Sequence, residues 1–414
     1  MIDLPAMLGG APVCDKMVPF VRPALPSADS MMPLVREMIE GGQLTKGEYL
    51  EAFESAVAHH LGVKHAIGVS SCTTGLMLAY RALRLDAEVV VPSFTFMATV
   101  SALVWAGLKP VFADIEFDTA TVDLRAVERA ITPRTSAIVG VHTFGNPAGI
   151  DGLRAIADRH RLSLVFDSAH GFGSLYRGVP VGSQGDCHVF SLSPTKLLVA
   201  GEGGIVATND DAVARRVRLG REYGNDGSYD SLFAGMNGRM AEFNALLGLQ
   251  GLPILESVAR QRNLIADAYR AQLAEIPGIE PVTVKVGNRS SYKDFSIAID
   301  PAKYGLNRDQ LAVALKVEQI DTRKYFYPAV HRQTAYASLH TGSDPLAQTD
   351  LLAERSLSLP MGTQVSLDLV SRVSNAIRRL HRHARDVRLK LSSDRGIVST
   401  PNDPMLVGSL LPSP

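Results

Sequence analysis

The chain contains 414 residues, of which 46% are hydrophobic and 20% are charged. At roughly 150 residues per domain this length predicts two or three domains, and the average composition excludes disordered, collagen-like and fibrous proteins. The 42 basic and 42 acidic residues leave a formal net charge of zero. The chain therefore lacks the long-range field that collects nucleic acid or anionic lipid, which leaves a small-molecule enzyme or a neutral binding protein.

The cysteine, histidine and hydrophobic patterns further limit the classes of protein to which the chain can belong. Cys14, Cys72 and Cys187 are odd in number and lack the spacing of a zinc or redox site, so we expect reduced thiols in a cytoplasmic protein. The longest weakly polar stretch, residues 96–108, is too short to span a bilayer, so no membrane contact is expected. The histidines are scattered and form no HExxH motif, and we expect no metal site.

An amphipathic helix is predicted over residues 48–61, because apolar residues from Leu50 to Leu61 recur at helical spacing and Gly62 is a typical stop. Strands and helices then alternate. Strands are predicted at 65–70, 88–92, 109–114, 136–142 and 162–167, and helices at 73–83, 95–106, 124–130 and 150–160. This alternation predicts an α/β fold with a mostly parallel sheet wrapped by helices.

The pattern changes near residue 254, where a long helix is predicted over 255–273 and a strand around 295–299. We therefore predict a large domain with an N-terminal arm over 1–260 and a smaller α+β domain over 261–390. Residues 391–414 mix Ser, Pro and Gly without periodicity and are expected to form a flexible tail.

Ligands of parallel sheets bind beyond the carboxyl ends of the strands, and Asp167 ends one apolar strand. Lys196 follows 29 residues later, directly before the glycine-rich segment 201–204. A solvated lysine and a turn-forming aspartate are the ordinary alternatives. Together, however, the two residues form the pair that pyridoxal phosphate needs: a carboxylate for the pyridine nitrogen and a lysine for the aldehyde and the proton.

A phosphate site is predicted where Ser70 to Gly75 open a helix, because free backbone N–H groups, hydroxyls and the helix dipole converge there. An N-cap without a ligand is the alternative reading of these residues. Ser191 supplies another hydroxyl on the segment that carries Lys196. Phe96 follows a strand at the same edge and is expected either to stack on a flat ring or to be a core residue.

Four segments resemble the DegT/DnrJ/EryC1/StrS sugar aminotransferases of fold type I. They are Phe166-Asp-Ser-Ala-His170, Gly182-Ser-Gln-Gly-Asp186, Phe190-Ser-Leu-Ser-Pro-Thr-Lys196 and Gly201-Glu-Gly-Gly204. The resemblance runs from about residue 44 to residue 360. It implies a large αβα domain with a mostly parallel sheet, and a smaller α+β C-terminal domain.

The resemblance also implies residue roles. Lys196 matches the Schiff-base lysine, Asp167 the partner of the pyridine nitrogen, and His170 the residue that contacts the ring oxygen of pyridoxal 5'-phosphate (PLP). Asn237, in Gly-Met-Asn-Gly-Arg-Met, matches an asparagine that reaches the cofactor of the neighbouring subunit, which implies a homodimer with shared active sites. The implied phosphate ligands are Thr73, Thr74 and Ser191, and the implied stacking residue is Phe96.

The resemblance favours amino transfer from an amino acid, with L-glutamate expected, to the ketone of a nucleotide-linked deoxysugar. Alternatives are amino transfer to a cyclitol ketone, a sugar dehydratase in which histidine replaces the lysine, and a regulatory protein that binds PLP without turnover. Two departures from the family occur: Cys72 and Thr74 stand where glycine and alanine are common, and residues 321–331 carry extra aromatic side chains.

Overall fold

A computed structural model describes residues 4–340 and 345–394, and this part of the chain contains three β-sheets. Seven strands form the main sheet in the order β1-β9-β8-β5-β4-β2-β3, in which β9 runs antiparallel to both neighbours and the other pairs are parallel. Strands β10, β11 and β12 form an antiparallel sheet, and β6 pairs with β7. The strands are β1 (His65–Val69), β2 (Glu88–Pro92), β3 (Lys109–Ala113), β4 (Thr135–Val141), β5 (Ser163–Asp167), β6 (Leu175–Tyr176), β7 (Val179–Pro180), β8 (Cys187–Ser191), β9 (Gly204–Thr208), β10 (Ile279–Pro281), β11 (Phe295–Ile299) and β12 (Ser356–Leu359).

Helices pack against both faces of the main sheet and against both faces of β11 in the smaller one. They are α1 (Ala28–Gly41), α2 (Glu48–Leu61), α3 (Cys72–Ala82), α4 (Ala98–Trp105), α5 (Leu124–Ala130), α6 (Ile150–His160), α7 (Asp211–Gly220), α8 (Glu242–Gly251), α9 (Leu255–Leu273), α10 (Pro301–Tyr304), α11 (Arg308–Val317), α12 (Ala347–Arg355), α13 (Leu367–Arg382) and α14 (Ala384–Asp394).

The predicted α/β fold with a mostly parallel sheet is confirmed, and so is the smaller antiparallel sheet. Helix α2 ends where predicted, since Gly62 adopts the left-handed conformation with a φ of 66°. The helix predicted from residue 95 is wrong at its start. Residues 93–97 form a loop before α4 instead, and this loop presents Phe96 to the cavity described below.

Alternate residues of the central strands face opposite layers of the protein. In β2, Val89 and Val91 pack with the α3 and α4 side, whereas Val90 packs with the α2, α5 and α6 side. All three are fully buried. A strand that is buried on both faces reads as an unbroken apolar run, and this explains why the sequence of β2 shows no polar alternation.

Helix α9 passes from the core of the main sheet to that of the smaller one. Ala259 packs in the first core and Ile265 in the second, to which Cys14 of the N-terminal segment also contributes. The domain division at residue 260 stays a prediction. Of the predicted tail, residues 391–394 complete α14, and residues 395–414 lie outside the described part.

The sulfur atoms of Cys14, Cys72 and Cys187 are free thiols, and Cys14 and Cys187 are buried. Across residues 4–340 and 345–394, no helix is both long enough and apolar enough to cross a membrane. Within the same ranges, no group of three or more His, Cys, Asp or Glu side chains is arranged to hold a metal ion.

Candidate active site

A cavity of about 350 Å³ lies between the carboxyl ends of the main-sheet strands and the loops of the smaller sheet. Its volume falls within the range of small-molecule sites. Six of the eight predicted site residues line it: Thr73, Phe96, Asp167, His170, Ser191 and Lys196. The folded chain therefore brings together side chains that are up to 123 positions apart in sequence, from Thr73 to Lys196.

Asp167 is the last residue of β5, and the sheet holds it deep in the cavity wall with 5% of its surface exposed. Thr99 Oγ1 donates a 2.6 Å hydrogen bond to Asp167 Oδ2, and the Ala169 N–H donates one of 3.0 Å to Oδ1. Burial raises the pKa of the Asp167 carboxyl, while these two hydrogen bonds act in the opposite direction. A buried carboxylate with so few protein partners can accept a hydrogen bond from a cationic ligand.

Lys196 lies on the loop between β8 and β9. Three backbone hydrogen bonds shape this loop: Lys196 N–H to Ser193 O at 3.0 Å, Ala200 N–H to Leu192 O at 2.8 Å, and Leu192 N–H to Gly203 O at 3.0 Å. Gly201 and Gly203 have φ values of 76° and 149°, which L side chains rarely adopt, so the glycine-rich segment is required by the turn.

The pKa of the Lys196 amine is lowered, which favours its neutral, basic form. Burial, followed by the positive charge of Lys293, lowers the pKa of Lys196 to about 8. A fraction of the amine is therefore uncharged at neutral pH, and an uncharged amine is required both to attack a carbonyl and to accept a proton.

His170 and Ser191 complete the wall near the lysine. Burial, Lys196 and Lys293 hold the pKa of His170 well below its ordinary value, so its imidazole is neutral at physiological pH. A neutral imidazole can donate a hydrogen bond through one nitrogen and accept one at the other. Ser191, at the end of β8, accepts a hydrogen bond of 3.4 Å from the Ser193 N–H.

The amino end of α3 points at the cavity. Ser71 is the N-cap of this helix, and its Oγ accepts a 3.1 Å hydrogen bond from the Thr74 N–H. Thr73 lines the cavity, but Thr74 does not: its Oγ1 hydrogen bonds Ser70 at 3.1 Å and Ser71 at 3.0 Å. The role of Thr74 as a phosphate ligand stays a prediction, and in this structure its side chain closes the helix cap.

Phe96 lies at the cavity, whereas Asn237 lies outside it. Phe96 is 48% exposed and lines the cavity, with its ring centroid 6.5 Å from that of Phe326. Asn237 is exposed and does not line the cavity of its own chain. Asn237 forms an isolated antiparallel β-bridge with Glu222, and the Glu222 carboxylate forms an ion pair with Arg239 at 3.0 Å. The predicted role of Asn237 in a neighbouring subunit is compatible with this outward position.

Several residues of the cavity wall were not predicted from the sequence, among them two charged and two aromatic side chains. Lys293 and Asp294 come directly before β11, and both are buried. Tyr325 and Phe326 lie in the segment 321–331, whose extra aromatics were visible in the sequence without a location. A lysine and an aspartate next to each other at the start of an apolar strand were the available signal for the first pair, since charged residues are rarely buried unless paired.

The fold, together with the matches to known proteins, defines the class as aminotransferase. The DegT/DnrJ/EryC1/StrS aminotransferase family matches residues 27–378, and the chain belongs to this family. The family resemblance seen in the sequence is thus confirmed, as is the aminotransferase activity that it implies.

Three relatives illustrate the match. The chain is 33% identical over 366 residues to the dTDP-4-amino-4,6-dideoxy-D-glucose transaminase of Escherichia coli, covering 88% of this chain and 98% of that protein. The crystal structure of DesI in the presence of its TDP-sugar product superimposes with a TM-score of 0.88 at 37% identity, covering 94% of this chain and 99% of that one. The structure of S. venezuelae DesV in complex with a ketimine intermediate gives a TM-score of 0.81 at 33% identity, covering 88% and 99%.

Proposed function

We propose that this protein is a cytoplasmic PLP-dependent aminotransferase that moves an amino group from an amino acid, with L-glutamate as the expected donor, to the ketone of a nucleotide-linked deoxysugar. The observation that carries the proposal is the shared cavity of Lys196, Asp167 and His170. PLP has an aldehyde that pairs with the amine and a basic ring nitrogen that pairs with the buried carboxylate, so it uses both groups.

The residues of the cavity fit PLP. Asp167 is buried, and no basic side chain forms an ion pair with it among the described residues, so it has room for a protonated pyridine nitrogen. Thr73, Ser191 and the amino end of α3 supply hydroxyls and N–H groups for a phosphate. Phe96, about half exposed in the same cavity, offers a flat face to a heteroaromatic ring.

When bound, PLP supplies an aldehyde that exchanges between amines and a ring that takes up the electron pair left by a departing proton. Nζ of Lys196 would hold the aldehyde of the cofactor, and once freed by an incoming amine it would be the base that takes the α-proton of the donor. The pKa of about 8 leaves part of this amine uncharged at neutral pH, as proton removal requires. The Asp167 carboxylate would keep the ring nitrogen protonated, and the neutral imidazole of His170 would hydrogen bond the ring oxygen.

The relatives support a nucleotide sugar as the acceptor. The E. coli relative is a transaminase of a dTDP-linked 4-amino-4,6-dideoxyglucose, and DesI was crystallised with a TDP-sugar product. Each covers nearly the whole of its own length in the match, so the comparison extends over both the cofactor side and the substrate side of the cavity. A cyclitol ketone would meet the same lysine and stays the nearest alternative acceptor.

The sugar dehydratase is disfavoured because Lys196 is present where that branch of the family has histidine. A regulatory protein that binds the cofactor without turnover is disfavoured because the chain has both Lys196 and Asp167, whereas binding alone requires less of the groups that move protons.

We further propose a homodimer with shared active sites. A groove of about 750 Å³ lies beside the segment that carries Asn237, and Trp105, Leu232 and Met236 line it. Trp105 is 76% exposed and Leu232 is 52% exposed. Large apolar side chains grouped at the surface are typical of a protein interface, and an interface here would carry Asn237 to the neighbouring subunit.

The experiment that tests the proposed function follows the visible absorption of the purified protein with bound PLP. Addition of L-glutamate is expected to convert the absorption to that of the amino form of the cofactor, with release of 2-oxoglutarate. Keto-sugar nucleotides, and cyclitol ketones as the rival acceptors, are then screened for the reverse conversion. A bound cofactor that glutamate leaves unchanged would contradict the transaminase and favour the regulatory protein.

A further inference from the structure

A second lysine is buried in the wall of the cavity. Lys293 is 4% exposed, lies two residues before the start of β11, and lines the same cavity as Lys196. Its ammonium donates to both carboxylate oxygens of Asp294, at 2.9 and 3.1 Å. The rings of Tyr325 and Phe20 lie 5.0 and 5.9 Å from its nitrogen, a distance suited to a cation–π contact. The position of this ammonium is therefore fixed before any substrate arrives.

Lys293 is the cation that remains for a substrate. Among the described residues that line the cavity, the lysine and arginine side chains are Lys196 and Lys293. Nζ of Lys196 is used for the covalent chemistry of the proposed reaction. An ammonium has three N–H donors, and the hydrogen bonds to Asp294 use two of them, which leaves one for a ligand.

We propose that Lys293 binds the α-carboxylate of the amino donor. This inference rests on the proposed function. In an α-amino acid the carboxylate is attached to the same carbon as the amine that takes the place of Lys196, so the anion must enter the cavity beside that lysine. Burial of a carboxylate is costly unless a cation or several N–H donors receive it.

The diphosphate of a nucleotide sugar is the second anion that Lys293 could receive. It is attached to the anomeric carbon of the sugar and is separated from the ketone by part of the ring. The α-carboxylate lies closer to the reacting carbon than the diphosphate can. Lys293 lines the same cavity as Lys196 and is near enough for its positive charge to act on the Lys196 amine, and this proximity favours the donor carboxylate.

Asp294 allows Lys293 to stay buried as a cation before a carboxylate binds. It compensates the buried charge of Lys293 while the site is free, so the lysine can be kept desolvated and ordered. An ordered and desolvated ammonium binds a carboxylate with little further loss of conformational entropy. For the same reason, Lys293→Met alone would leave Asp294 buried without its partner and is expected to destabilise the fold.

The test therefore uses the double variant Lys293→Met/Asp294→Asn, which removes both charges, in the full protein loaded with PLP. The matched control is Lys285→Met, which removes an exposed lysine that pairs with Glu116 outside the cavity. Three probes are measured: saturation of the spectral conversion by L-glutamate, the spectral change with methoxyamine, which has no carboxylate, and the binding of thymidine diphosphate by calorimetry.

We expect the glutamate concentration for half-saturation to rise on the order of 10- to 100-fold in the double variant, as loss of a charged hydrogen bond predicts. Methoxyamine and thymidine diphosphate should act as on the wild type, and Lys285→Met should change nothing. A less than threefold effect on glutamate would overturn the inference. So would weaker binding of thymidine diphosphate with glutamate unaffected, since Lys293 would then serve the nucleotide.

Failure of the proposed function gives a different result. In that case the wild-type protein itself shows no glutamate-dependent spectral change, whereas failure of this inference leaves the wild-type conversion intact.

Discussion

Thr99 donates a hydrogen bond of 2.6 Å to Oδ2 of Asp167 inside the protein, and both residues are buried. A hydroxyl has one hydrogen to donate, so the 2.7 Å contact between Thr95 and Thr99 must have Thr95 as its donor. The two threonines thus form a chain that ends on the carboxylate. This chain opposes the effect of burial on the pKa of Asp167 and keeps the carboxyl ionised at lower pH.

Thr99→Val removes the donor at the carboxylate and is expected to raise the pKa of Asp167. Asp167 must be ionised to hold a protonated ring nitrogen, so the acid limb of the pH profile should move to higher pH. The rate of the glutamate-dependent conversion should fall about tenfold, as loss of one hydrogen bond to a charged group predicts. The control is Thr95→Val, which removes the outer hydroxyl only. Equal pH profiles for all three proteins would contradict this account of Asp167.

Lys196→Met is expected to stabilise the protein without PLP at neutral pH. The pKa of Lys196 in the folded chain, about 8, lies below its ordinary value of 10.5, so the unfolded chain binds more protons between these values. The destabilisation is therefore complete below about pH 8 and absent above about pH 10.5. We expect the variant to gain about 2 kcal/mol in free energy of unfolding at pH 7, less than the full shift gives because the amine opens onto the cavity.

Urea unfolding of both proteins at pH 7 and at pH 10.5 measures this difference. A gain of the same size at both pH values would show that packing of the methionine, and not the titration of Lys196, causes it.

Thr73→Val is expected to weaken PLP binding about tenfold and to leave the unfolding free energy of the PLP-free protein unchanged, because Thr73 lines the cavity while Ser71 caps the helix. Ser71→Ala should instead lower the unfolding free energy by about 1 kcal/mol through loss of the N-cap. Titration of the PLP-free variants with PLP and urea unfolding separate the two effects. Destabilisation by Thr73→Val without weaker binding would assign Thr73 to the helix cap.

The shared active site predicts complementation between two inactive variants. In a hybrid of Lys196→Ala and Asn237→Ala subunits, one of the two sites combines an intact Lys196 with an intact Asn237. An equal mixture that exchanges subunits should therefore recover about a quarter of the wild-type activity. Recovery should depend on exchange, so variants mixed without exchange serve as the control. No recovery after demonstrated exchange would contradict the role proposed for Asn237.

Most of the main sheet was predictable from sequence because its strands are short apolar runs that alternate with amphipathic helices. The bounds predicted for β2, α5, α6 and α9 coincide with those of the structure. Local chemistry also identified Asp167 and Lys196, since a carboxylate at the end of a strand and a lysine beside glycines each have a recognisable local signal.

The other half of the cavity was not predictable in this way. Lys293 and Tyr325 reach the cavity because the smaller sheet packs against the larger one. No periodicity in the sequence shows which residues this packing brings together. For Thr74, the sequence predicted a role but did not show the contacts of the side chain. The sequence places it in the segment predicted to bind phosphate, but its side chain hydrogen bonds Ser70 and Ser71, which only the three-dimensional structure shows.

We assign Lys196, and not the neighbouring Lys293, as the lysine that carries the cofactor. The most direct measurement is borohydride reduction of the PLP-loaded protein followed by peptide mass spectrometry, which locates the lysine fixed to the cofactor. We expect the added mass on the peptide that contains Lys196, and its loss in Lys196→Ala with the fold retained. Attachment at Lys293, or an adduct that persists in Lys196→Ala, would contradict this assignment.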